Sequence, residues 1–84
     1  MTLMWEVRAA DGQADELVAR VESAADPSAL VYRSSDRVVV IDPTGRGVHG
    51  IPDELLARPP HVWTFEPVPR VARTGTGNDS SFRE

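Results

Sequence analysis

His49 and His61 are the only side chains of this sequence whose ordinary titration falls near neutral pH, and each has neighbours that can bind. Trp63 follows His61 by two positions, so on an extended backbone an imidazole and an indole share one face. Such a pair can accept a proton from a bound molecule or polarise it. The ordinary alternative is a partly exposed histidine at a strand start, with Trp63, Phe65 and Trp5 packed as core aromatics. His49 belongs to the run Thr44-Gly45-Arg46-Gly47-Val48-His49-Gly50, whose backbone N–H groups together with Arg46 can hold an anion. Asp53 and Glu54 follow closely and the Gly-Lys-Ser/Thr of a phosphate loop is missing, so the glycines equally serve plain turn geometry. The candidate ligand-binding residues are therefore His61, Trp63, His49 and Arg46.

Other chemistry is thin. The sequence has no cysteine, which rules out disulfides, thiolate metal sites and a cysteine nucleophile. The two histidines have no third ligand type placed near them, so no metal is expected. Ser34 and Ser35 fall in a turn outside any Gly-x-Ser-x-Gly setting. No residue is assigned a catalytic role, and no cofactor is expected.

The elements that must position these groups follow from hydrophobic spacing. Leu3, Trp5 and Val7 alternate with Met4, Glu6 and Arg8, which predicts a strand. Asp11-Gly12 ends it, and Ala14, Leu17, Val18, Val21 and Ala25 recur at helical spacing, predicting a helix over 13–25 that Asp26-Pro27 stops. Leu30–Arg33 and Arg37–Ile41, joined by Ser34-Ser35-Asp36, read as a hairpin. The second arm, Val38-Val39-Val40-Ile41, is apolar on both faces and is expected inside the sheet, not at its edge. Pro52 at a first helical position, with acids behind it, predicts a short second helix over 52–58, and Pro59-Pro60 ends it. His61 to Glu66 resumes a period of two, with His61, Trp63 and Phe65 on one face.

With 84 residues, 40% hydrophobic and 26% charged, the composition is that of one soluble domain, and no apolar run nears the roughly 20 residues of a membrane span. The first residues lack the basic and apolar regions of a signal peptide, so the cytoplasm is the expected location. The net charge of −4 falls entirely on residues 1–70, and without a basic patch no nucleic-acid partner is expected. Residues 71–84 are small and polar and are expected to form a disordered tail. A chain of about 60 residues buries only about 60% of its unfolded surface, so covering further apolar area favours it.

The order is β-α-β-β-α-β, the ferredoxin-like split motif, with four antiparallel strands and the helices on one face. On Met4-Trp5-Glu6-Val7-Arg8-Ala9-Ala10-Asp11-Gly12, Asp15-Glu16-Leu17, and Leu55 through Phe65, the chain resembles short uncharacterised proteins of high-GC bacteria. Over about residues 2–68 it is more distantly similar in layout to the dimeric α+β barrel superfamily, which includes the antibiotic-biosynthesis monooxygenases. That resemblance implies a homodimer and a pocket in which His61 and Trp63 match by position on the fourth strand. The family's asparagine has no counterpart in the body, since the sole Asn is Asn78. Helices cover one sheet face only, yet Val39 and Ile41 must point opposite to Val38 and Val40. A homodimer joined sheet to sheet is therefore expected. Its function is read as non-catalytic binding of a small apolar ligand or a protein. The alternative is a cofactor-independent enzyme acting on an apolar or aromatic substrate, using His61 and Trp63 between sheet and helices.

Overall fold

In the computed structural model, which describes residues 1–70, the first strand is β1 (Thr2–Arg8). The expected tail, 71–84, lies outside the described residues. The alternation in β1 becomes a split in burial, with Leu3, Trp5 and Val7 inside and Thr2, Met4 and Glu6 only half-buried. Helix α1 (Ala14–Ala24) follows, with Asp15 and Glu16 in its first turn, where the positive end of the helix dipole favours them. Leu17 and Val21, one turn apart, are fully buried against the sheet. The helix ends where Asp26 accepts the N–H and hydroxyl of Ser28 and turns the chain.

Strands β2 (Leu30–Arg33) and β3 (Arg37–Asp42) form the expected hairpin. The sheet is antiparallel in the order β2-β3-β1-β4, with β4 spanning His61–Phe65. β3 is thus internal, flanked by β2 and β1, as its unbroken apolar run requires. Val38 and Val40 join Leu3, Trp5, Val7, Leu17 and Val21 in the core, and Val48 and Leu55 close it. Val39 and Ile41 point to the other side and are only half-buried.

The second helix does not form over 52–58. A single 3-10 turn, Asp53–Leu55, stands in its place. The backbone beyond it is claimed by β1: Ala57 N–H donates to Arg8 C=O, Ala10 N–H donates to Leu55 C=O, and Leu56 bridges Ala9. Pro59-Pro60 holds the preceding residues extended, and so short a segment cannot offset the cost of helix nucleation. The described fold is therefore a small α+β unit with one α-helix on one face of four antiparallel strands.

Candidate functional site

The side of the sheet away from α1 collects most of the large apolar groups that the core leaves out. Pairing register sets Leu30, Ile41, Met4 and Trp63 in one row across all four strands. The adjacent row is Tyr32, Val39, Glu6 and His61, and Phe65 lies opposite Thr2 beyond the first row. Leu30, Tyr32, Trp63 and Phe65 are 43–57% exposed. Trp63 and Phe65 are thus not core aromatics in the single chain; only Trp5, at 3% exposure, takes that role.

One polar array interrupts this face. Arg37 Nε forms an ion pair with Glu6 Oε2 at 3.1 Å, and His61 Nδ1 lies 3.7 Å from Glu6 Oε1. Glu6 is the most enclosed of the three, hemmed in by strands on both sides. The His61 ring meets Trp63 edge to face, with centroids 5.7 Å apart. A second ion pair, Arg8 to Asp36 at 3.1 Å, closes the end of the face.

His49 and Arg46 sit on the opposite side. With Leu3, Trp5, Val48 and Val62 they line a groove of about 290 Å³ beside the helix-facing side of β1 and β4. The four candidates therefore form two separate pairs: His61 and Trp63 on the open face, His49 and Arg46 on the helix side. The loop does not close over His61, and His61 and Trp63 do not lie between sheet and helix. The register of β4 against β1 decides this: Val62 pairs with buried Trp5 and faces the helix side, so His61 and Trp63 face away from it.

The loop that carries Arg46 and His49 is organised by Asp42, a residue not singled out in the sequence. Its carboxylate is buried at 1% exposure. Oδ1 accepts the N–H and the hydroxyl of Thr44, at 2.8 and 2.6 Å, and Oδ2 accepts Gly47 N–H at 2.8 Å. Gly47 adopts φ +81 against the Leu3 side chain, a conformation that favours glycine. His49 Nε2 lies 2.7 Å from the Arg46 carbonyl, and Arg46 reaches Asp26 at 3.5 Å. The sequence signal was present: Asp42 continues the buried phase of Val38 and Val40, and Thr two positions on marks a side-chain-capped turn.

Burial alone would raise the Asp42 pKa, but the hydrogen bonds from Thr44 and Gly47, aided by Arg46, outweigh it and hold the carboxyl below its ordinary value. A depressed folded pKa adds stability that is complete above the unfolded carboxyl's range, about pH 4, and is lost as pH falls through the folded value. Asp42→Asn places an amide N–H₂ against backbone donors and should cost about 2 kcal/mol at pH 7. Denaturant melts from pH 7 down to pH 2 check this: the gap between wild type and variant should shrink below about pH 4. A gap constant with pH would contradict the charge argument.

Among the described residues no group of three or more His, Asp or Glu side chains is placed to hold a metal ion, and no helix is long and apolar enough to cross a membrane. The chain matches no family model, no curated protein and no solved structure. Function must therefore be argued from the two surfaces themselves.

Proposed function

We propose that this protein is a small homodimeric binding module whose two copies meet through the open faces of their sheets. The observation that carries the reading is the row Leu30, Ile41, Met4 and Trp63, apolar from one sheet edge to the other, with Tyr32, Val39 and Phe65 beside it. At about 4.8 Å per strand the row is roughly 15–20 Å wide, larger than the scattered apolar contacts usual on a monomer.

Charge favours a second copy as the occupant. Residues 1–70 carry seven arginines and eleven acids, so two copies repel each other over most of their surfaces. On the open face the charges balance, Arg8 with Asp36 and Arg37 with Glu6. A neutral apolar patch on an acidic body is where two such bodies can approach; a basic partner would be drawn elsewhere. Burying half-exposed side chains at about 25 cal/mol per Å² also supplies what a domain this small lacks.

The strand order and the single crossover helix fit a ferredoxin-like unit with its second crossover reduced to a turn. Face-to-face joining would make it a relative, in layout, of the dimeric α+β barrels. In that assembly Trp63 is an aromatic anchor at one end of the apolar row, of the residue type that dominates interface energetics, and the His61–Glu6–Arg37 array sets orientation. Isotope-filtered NOEs between labelled and unlabelled copies test the reading: they should arise at Met4, Val39 and Ile41.

A further inference from the structure

Among the described residues strand β4 is an edge of the sheet, and within its own five residues it carries no charged or proline residue that would shield it. His61-Val62-Trp63-Thr64-Phe65 contains no Lys, Arg, Asp, Glu, Gly or Pro, and every one of the five residues is exposed. Among the described residues its single pairing partner is β1, so one row of its N–H and C=O groups faces outward. Pro59-Pro60 and Pro67 bracket it, which confines any added pairing to this short register.

A pocket adjoins this edge. Val62, 51% exposed, forms one wall of the groove of about 290 Å³ whose other apolar walls are Leu3, Trp5 and Val48. A free strand edge next to a side-chain pocket is the combination by which added strands are recognised. Main-chain hydrogen bonds supply affinity and the pocket reads alternate side chains.

We propose that the free edge of β4 binds an extended segment of a protein partner as a fifth strand, with one large apolar side chain of that segment seated in the groove beside Val62. A second copy is the poorer occupant. Antiparallel pairing of β4 with itself about a two-fold axis normal to the sheet keeps like faces together, so the groove would receive only Val62 or Thr64 of the other copy. Both are small, while Trp63 and Phe65 would stay on the opposite face. A phenylalanine or leucine fills the space better, and an acidic flank on the segment suits Arg46 and His49, which line the groove with no acidic side chain among its walls. The edge and the open face are different surfaces, so this proposal and the homodimer can fail independently.

The test is an NMR titration of the intact chain with a capped nine-residue peptide of alternating threonine and valine, phenylalanine at its centre and glutamate at each end. The expected result is shifts at the amides of 61–65 and at the Val62 methyls. Replacing the central phenylalanine by alanine should weaken binding by about tenfold or more. N-methylating the peptide along one edge should abolish binding, as should Val62→Lys, which leaves the core untouched and places a charge at the strand edge. The proposal is overturned by no binding, by equal affinity for the alanine peptide, or by shifts confined to Met4, Val39 and Ile41. Exchange protection of the outward amides of 61–65 in the peptide-free protein would also overturn it, by showing a second copy already there.

Discussion

Ile41→Lys is expected to convert the proposed dimer to a folded monomer. Ile41 lies in the middle of the open face, between Leu30 and Met4 and two strands from Trp63 in its row. In a face-to-face dimer the substitution buries one ammonium from each copy without a partner, at a cost of several kcal/mol. The dissociation constant should rise by about 100-fold or more, which corresponds to about 2.7 kcal/mol. In the separate chain the cost is small, because the lysine stem can lie along Leu30 and Met4 while its head reaches water. Sedimentation velocity over a concentration series, with circular dichroism on the same samples, reads both halves of the prediction. Unchanged dimer affinity would sink the face as the interface. Loss of helical and strand signal would show that the row serves the fold of one chain.

The two tryptophans should separate fold from assembly. Trp5 is 3% exposed among Leu3, Val7, Val40 and Leu17, and Trp5→Ala should cost about 3–5 kcal/mol. Small domains sit at the low end of the usual stability of about 5–15 kcal/mol, so this variant should be largely unfolded at room temperature. Trp63 is 43% exposed, and Trp63→Ala should leave the unfolding free energy of the dissociated chain within about 1 kcal/mol of wild type. Its effect belongs to the dimer, where removing an aromatic anchor costs about 2 kcal/mol or more. Denaturant melts at two protein concentrations distinguish these outcomes. Equal destabilisation by both substitutions would mean that Trp63 is a core residue after all.

Those two residues also show what could be read from sequence. The alternation of Leu3, Trp5 and Val7, and the uninterrupted Val38 to Ile41, expressed burial directly, so strand limits and the internal place of β3 followed from them. The helix was equally legible, since Leu17 and Val21 recur with its period. The second helix was misread because Pro52 and its acids are local signals, whereas the pairing of 55–57 with the end of β1 is a non-local one. The face shared by His61, Trp63 and Phe65 was clear, but which side of the sheet it occupied was not. Only the register of β4 against β1 places it away from the helix. For the same reason the sequence does not separate Arg46 and His49 from His61 and Trp63, and does not reveal that Glu6 lies between His61 and Arg37. Period two assigns residues to faces; pairing assigns faces to neighbours.

The central claim is that two copies meet on the open face, and isotope-filtered NOE spectroscopy on a mixture of labelled and unlabelled chains tests it most directly. The account predicts intermolecular cross-peaks from the Met4, Val39 and Ile41 methyls to side chains of the same face on the other copy, with none at Leu17 or Val21. The absence of intermolecular peaks at millimolar concentration, or peaks arising only from α1 or from the edge residues of β4, would contradict it.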